Sequence, residues 1–334
     1  MTALLVANGG GHIRQLRQLA PRLPTGPDRH WITIDTPQTR SLLAGERVSY
    51  LRNSAPRDAV TAVKNAVSAR RFFREDDVDF VVSTGNSLAV AVLPLAVARR
   101  IDTYFIESAT RVSGPSLSGR LMAMLPGVHC LTQYPHLVDA TWGHGGSVFD
   151  GFETTPRTPR SGPLKVVVSV GTHESYGFRR LLERMVQILP PDAEVLWQTG
   201  ANDTSGLPID ARPFLPSNEF DSALRECDVL VGHAGTGTAL AAMSNGLVPV
   251  LLPRRQEFDE HIDDHQLQLA GYLAEQGLAI VPGEEGPALE DLLAAARLSV
   301  RALAAPPPLR LPAPRRPLAV TLPTADVTAG RAPV

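Results

Sequence analysis

Residues 229–238 read Val-Leu-Val-Gly-His-Ala-Gly-Thr-Gly-Thr, and this stretch decides the fold. Three large apolar residues suit a buried strand, the glycines make a tight turn, and the small residues that follow, through Ala242, suit a closely packed helix. Strand, glycine turn and helix in that order are the unit of a parallel α/β sheet. Gly235 and Gly237 allow backbone N–H groups to approach an anion without Cβ interference. The helix start adds unpaired N–H donors and a positive dipole end. The stretch therefore predicts a diphosphate cradle. One βα unit later come Pro253-Arg254-Arg255, Glu260-His261 and Asp264-His265-Gln266, polar side chains at the same sheet edge. Cradle and polar set together point to a nucleotide diphosphate carrying a hydroxyl-rich group such as a sugar.

Working outward, strands are predicted at Lys165–Val170, Glu194–Gln198, Val248–Leu252 and Leu278–Val281, flanking Val229–Gly232. A similar alternation fills the first half, with strands at Ala3–Asn8, Trp31–Asp35, Phe80–Ser83, Thr103–Ile106 and Val128–Thr132 and helices at Asp58–Arg74 and Ser87–Arg99. The expectation is an α/β protein of two Rossmann-like domains facing a cleft: an acceptor-binding domain over 1–150, a linker over 151–164, a nucleotide-sugar domain over 165–303, and a Pro/Arg-rich tail over 304–334 without fixed structure. Clefts between domains are the default ligand site.

The 334 residues are long enough for two cores, and a net charge of −2 gives no general reason to expect nucleic acid. The charge is uneven: residues 1–160 carry 18 Lys/Arg against 13 Asp/Glu, and the remainder 14 against 21. A basic first half suits an anionic lipid surface or a phosphorylated acceptor, and scattered solvated charge would look the same. Cys130 and Cys227 lie in apolar segments and read as buried thiols in a reducing, cytoplasmic setting. The longest apolar run, Leu88–Ala98, contains Pro94 and is too short to span a bilayer. The short apolar segment Ser116–Leu125, flanked by Arg111 and Arg120, reads either as an ordinary core helix or as peripheral contact with the inner face of a membrane.

Gly9-Gly10-Gly11-His12 follows the first strand but lacks the full G-x-G-x-x-G spacing of a dinucleotide site. His12 at the carboxyl end of a parallel strand is a candidate general base, although three glycines also make a plain tight turn. Glu107-Ser108-Ala109-Thr110-Arg111 ends another strand: Glu107 is the rival base, and Arg111 is placed to meet an acceptor phosphate. In the second half, Gly171-Thr172-His173-Glu174 follows a strand and faces the cleft. His261 and His265 have i, i+4 spacing, but no third metal ligand is evident, so no metal is expected.

These residues resemble glycosyltransferase family 28, whose members have the two-domain GT-B fold. The resemblance rests on Gly10-Gly11-His12, Glu107-Ser108 with Arg111, Ser169 through Glu174, His233-Ala234-Gly235, Pro253-Arg254-Arg255, Glu260-His261 and Asp264-His265-Gln266. It implies an inverting, metal-independent transfer of a glucuronosyl, galactosyl, glucosyl or N-acetylglucosaminyl unit from a UDP-sugar, with no cofactor. The acceptor implied is lipid-linked or another glycosyl acceptor. The donor set implied is Gly171, Thr172, His173, His233, Gly235, Thr236, Gly237, Thr238, Arg254, Arg255, Glu260, His261, Asp264, His265 and Gln266. The acceptor set is Gly10, Gly11, Asn86 and Arg111, with His12 or Glu107 as base. Arg254 or Arg255 would suit the carboxylate of a uronic acid donor. Related N-acetylglucosaminyl enzymes grip the ribose with a glutamate where this chain has Ala241. Transfer to a small natural product and UDP-sugar 2-epimerisation are the alternatives on the same fold.

Overall fold

The computed structural model describes residues 2–26, 28–54, 58–171, 177–261 and 265–313. The first half carries strands β1 (Thr2–Val6), β2 (Arg29–Ile34), β3 (Val48–Leu51), β4 (Val78–Ser83), β5 (Asp102–Ile106), β6 (Val128–Thr132) and β7 (Trp142–His144). They form one parallel sheet in the order β3-β2-β1-β4-β5-β6-β7. Helices α1 (Gly11–Leu19), α2 (Pro37–Leu42), α3 (Ala59–Ala69), α4 (Phe72–Glu75), α5 (Ser87–Val97) and α6 (Leu117–Ala123) connect them. The strand order reverses between β1 and β4, so a crevice opens beyond their carboxyl ends. The apolar run read at Leu88–Ala98 is α5, wedged between α3 and α6. Its Leu88, Ala89, Ala91, Val92, Leu93 and Ala96 are all buried, which accounts for its lack of a polar face. The single helix expected over Asp58–Arg74 is two, α3 and α4. Strands β3 and β7 were not anticipated, because their short mixed sequences carry no alternation.

After β8 (Phe152–Pro156) the second half adds β9 (Lys165–Ser169), α7 (Arg179–Ile188), β10 (Glu194–Gln198), β11 (Ala211–Arg212) and α8 (Ser217–Glu226). Then follow β12 (Val229–His233), α9 (Thr236–Ser244), β13 (Val250–Leu252), α10 (His265–Glu275), α11 (Leu289–Ala296) and β14 (Leu298–Ala302). Its parallel sheet runs β11-β10-β9-β12-β13, reversing between β9 and β12. The strand expected at Leu278–Val281 is reduced to a single bridge from Ile280 to Val250.

Two expectations are corrected. The stretch 151–164 is not a plain linker: it contains β8, which pairs antiparallel with β14 from Phe152 opposite Ala302 to Pro156 opposite Leu298. The domains are thus joined by a hydrogen-bonded two-stranded ribbon, stiffer than a single chain. The tail is not loose from 304 onward either. Leu303 N–H donates to Gly151 O at 2.8 Å and Arg310 N–H to Gly145 O at 2.9 Å. Arg22 Nε donates to Pro307 O at 2.7 Å, and Tyr104 Oη to Pro312 O at 3.0 Å. Leu309 is buried against the first domain. Proline contributes a fixed φ and a free carbonyl acceptor here, so a proline-rich strap docks through its carbonyls. Residues 314–334 lie outside the described residues.

The two domains share one apolar core. Ile13, Leu16 and Leu19 of α1 join Ala239, Leu240 and Met243 of α9 and Leu269, Ala270 and Leu273 of α10. The opposite side of α9, Ala241 and Ala242, packs on its own domain beside Leu224 and Leu230. A helix gripped on both sides must be apolar all round, and its small residues let α1 approach closely.

Candidate active site

Each sheet places a histidine at its reversal point. His12, in the first turn of α1, sits between the ends of β1 and β4. Its Nδ1 lies 2.7 Å from Thr84 O. A carbonyl has no proton to give, so Nδ1 donates and Nε2 keeps its lone pair. Burial, opposed by the Thr84 hydrogen bond and reinforced by the nearby Arg111, pushes the His12 pKa below the ordinary imidazole value. The ring is therefore neutral and able to accept a proton at physiological pH.

Glu107, the rival base, is buried and already engaged. Oε1 accepts from Ser108 N–H at 2.9 Å, and Oε2 accepts from Ser116 N–H at 2.8 Å and Ser116 Oγ at 3.0 Å. Burial outweighs these bonds and raises its pKa. The carboxyl fastens the α6 start to the end of β5, which is a structural duty. A buried polar network supports the same loop. Gln15 Oε1 accepts from Ala109 N–H at 2.8 Å and Gln133 Nε2 at 3.0 Å, while Gln133 Nε2 also donates to Glu107 O at 2.9 Å. Arg111 lies within electrostatic reach of both His12 and Glu107. Asn86 is exposed at the N-cap of α5, with φ 72°. Gly10 N–H donates to Gln38 Oε1 at 2.8 Å.

At the second reversal point, His233 ends β12 and its Nδ1 lies 3.3 Å from Thr238 Oγ1. The ring lies between Gly171 and Gly235: a Cβ on Gly171 would stand 2.7 Å from His233 Cε1, and one on Gly235 would overlap the ring. Gly235 is therefore glycine to seat this imidazole, a reason the sequence could not supply. Gly237 touches the other domain: a Cβ there would lie 3.4 Å from Gly11 Cα, an ordinary contact distance. The N-termini of α1 and α9 thus meet across the cleft, with His12 one residue from the contact. Thr236 Oγ1, at the first position of α9, is buried and has no partner among the described residues.

Further along the second domain, Arg254, Glu260 and Gln266 form a buried bracket. Arg254 Nη2 donates to Val170 O at 2.7 Å, its guanidinium lies 5.4 Å from the Phe178 ring centroid, and its N–H donates to Gln266 Oε1 at 3.1 Å. Glu260 takes Arg180 in a two-point pair at 3.0 and 2.9 Å and Arg255 N–H at 3.1 Å. These groups fix the loops after β9 and β13 as a wall. Arg255 also pairs with Glu257 at 2.5 Å. The His261 and His265 rings meet edge to face at 4.5 Å; among the described residues no group of three metal-ligating side chains occurs. Thr172, His173, Glu174 and Asp264 lie outside the described residues. Ala241 is buried near Leu215 and Phe220.

The cleft is bridged beside this contact. Arg14 pairs with Asp221 at 3.8 Å, Ser113 Oγ donates to Gln268 Oε1 at 2.8 Å, and Tyr272 of α10 packs edge-on to Tyr134 at 4.8 Å. On the outer side of the first domain, α3 and α6 flank α5. Val60, Val63 and Val67 of α3 are exposed, as are Leu117, Leu121 and Met124 at i, i+4, i+7 on and just beyond α6. Lys64, Arg70, Arg99, Arg100 and Arg120 are exposed around them. The sequence reading found the α6 face but missed that of α3. It also missed Thr84 and Gln15, whose partners lie far away in the chain.

Two parallel-sheet domains, each presenting a glycine-flanked histidine at its reversal point across a shared cleft, give the chain the two-domain GT-B fold. Solved structures share the fold: the glycosyltransferase SnogD from Streptomyces nogalater (TM-score 0.56, 18% identity, 89% of this chain and 91% of that one) and Acinetobacter baumannii MurG (TM-score 0.52, 20% identity, 84% and 85%). Residues 165–281 match the glycosyltransferase family 28 C-terminal domain. A curated relative, the UDP-N-acetylglucosamine--N-acetylmuramyl-(pentapeptide) pyrophosphoryl-undecaprenol N-acetylglucosamine transferase of Synechococcus sp. (strain WH7803), is 24% identical over 312 residues, covering 85% of this chain and 84% of its own.

Proposed function

We propose that the protein transfers a sugar, with inversion and without a metal, from a UDP-sugar to a lipid-linked glycosyl acceptor. The observation that carries this reading is the meeting of α1 and α9 at Gly11 and Gly237, which sets a neutral His12 beside the start of α9. Backbone amides of Thr236 and Gly237 and the unpartnered Thr236 hydroxyl would receive the diphosphate and the charge that grows on it as UDP leaves, the Gly235 N–H being held by His233 O at 2.8 Å. His12 Nε2 would take the proton of the attacking hydroxyl from the opposite face, which gives inversion. Arg111, close to His12, suits a phosphate on the acceptor. Glu107 is left to hold its loop. N-acetylglucosamine is the first donor to test, because the curated relative carries it in its name.

A lipid-linked acceptor also fits the outer face of the first domain. Exposed valines of α3 and Leu117, Leu121 and Met124 beside α6, with arginines around them, suit peripheral contact with an anionic bilayer surface. Among the described residues no helix is long and apolar enough to cross a membrane.

The test is incubation with labelled UDP-sugars, with and without a polyprenyl-diphosphate-linked sugar. UDP release that requires the lipid acceptor is the expected result. Isomerised donor without acceptor, or transfer only to soluble aglycones, would overturn the reading.

A further inference from the structure

We propose that Thr84 is a positioning residue for the His12 base, gripping it at both ring and backbone. The inference rests on the assignment of His12 as base and adds the device that aims it. Thr84 directly follows β4, which lies next to β1 in the sheet, although Thr84 and His12 are 72 residues apart in sequence. It is fully buried. Its carbonyl accepts from His12 Nδ1 at 2.7 Å, and its own Oγ1 donates to His12 O at 2.9 Å. The first bond fixes which nitrogen carries hydrogen. The second fixes the distance between the two loops, so the ring cannot drift while keeping its partner.

The turn that holds Thr84 has little freedom. Ser83 Oγ accepts from Gly85 N–H at 3.1 Å. A Cβ on Gly85 would stand 3.4 Å from Phe105 Cζ and 3.6 Å from His12 Cε1. Asn86 follows at φ 72°, ψ −165°, a region that side chains rarely adopt. Its Oδ1 accepts from Ser87 N–H at 2.8 Å, and Asn8 at the end of β1 clasps Ser87 Oγ at 3.2 Å and Leu88 N–H at 3.2 Å. Such a conformation persists only where its surroundings over-determine it. The chemical consequence is specific. A base is usually oriented by a partner on its second nitrogen, and here that partner is a neutral carbonyl. It supplies direction without a counter-charge, so the ring remains neutral beside Arg111 and its Nε2 lone pair is left to accept a proton.

Thr84→Val keeps the shape and removes the hydroxyl; Thr84→Ser keeps the hydroxyl. With the full chain, Thr84→Val is expected to lower kcat about tenfold, the scale of one hydrogen bond, with donor KM within about twofold and Tm lowered by no more than a few degrees. Thr84→Ser should restore kcat to within about threefold. Nitrogen-15 spectra of His12 should show hydrogen on Nδ1 in the native protein and a tautomer mixture in Thr84→Val. Full kcat in Thr84→Val, or a native ring carrying its hydrogen on Nε2, overturns the clamp. If His12→Ala keeps full turnover while the native ring is Nδ1-protonated, the base assignment fails and the hydrogen bonds stand, so the two failures are distinguishable.

Discussion

Thr236→Val should move stability and ligand affinity in opposite directions. Thr236 is 2% exposed and its hydroxyl has no partner among the described residues. A buried unsatisfied polar group costs about 1–3 kcal/mol. Valine has the same shape and branching without that cost, so the free protein should gain about 1 kcal/mol, or roughly 2–4 °C in Tm for a domain of this size. Once a diphosphate arrives, the hydroxyl gains a charged acceptor, a bond of about 1.5–3 kcal/mol. Its loss should weaken UDP binding about tenfold to a hundredfold. Differential scanning calorimetry and titration calorimetry with UDP read the two quantities, and Thr236→Ser should keep the affinity. A Thr236→Val variant that melts lower and binds UDP as tightly as the native protein would falsify the diphosphate assignment at α9.

His12→Ala should cut turnover about a hundredfold or more while UDP affinity holds; unchanged turnover would remove His12 from the reaction. Because the folded-state pKa of His12 is lowered, the unfolded chain binds the proton more readily. Activity that depends on the neutral ring should persist below pH 6.5, and the stability linked to this group should fall as pH drops from there through the folded value; an acid limb above that pH contradicts this. Glu107→Gln keeps one carbonyl acceptor and puts its amide N–H₂ against the donors of either Ser108 or Ser116, so Tm should fall by several degrees with turnover kept within about tenfold. A thousandfold loss at native Tm would make Glu107 the base. Ending the chain after Ala302 uncovers Leu309's site and Arg22, a loss of about 2–4 kcal/mol by burial alone; an unchanged melting curve would mean the strap contributes nothing.

Much of the fold was legible because periodicity and glycine placement are local signals. Val229–His233 followed by Gly235 and Gly237 could be little other than a strand entering a helix over a tight turn. Alternation of such units announced parallel sheets, and two of them a cleft. The short β3 and β7 and the Thr-Thr-Pro strand β8 were illegible, because each is made a strand by its neighbour rather than by its own residues. At the site, residue type and location were readable while duty was not. His12 and Glu107 look equal as bases in the sequence; the structure adds three donors on Glu107 and a single carbonyl on His12. Arg254 and Glu260 look like ligand groups in the sequence; the fold gives Glu260 to Arg180 and the Arg255 N–H and Arg254 Nη2 to Val170 O, while Arg254 Nε has no partner among the described residues.

The sequence by itself determined two α/β halves, a glycine turn between strand and helix, and histidines at strand ends, because those follow from contacts among near neighbours in the chain. Only the tertiary structure decided that Gly235 makes room for His233, that Gly11 and Gly237 touch across the two domains, and that Thr84 bonds His12 at both ring and backbone. Each of those depends on packing and hydrogen bonds in three dimensions, and the decisive ones join segments many residues apart, beyond anything a local pattern can encode.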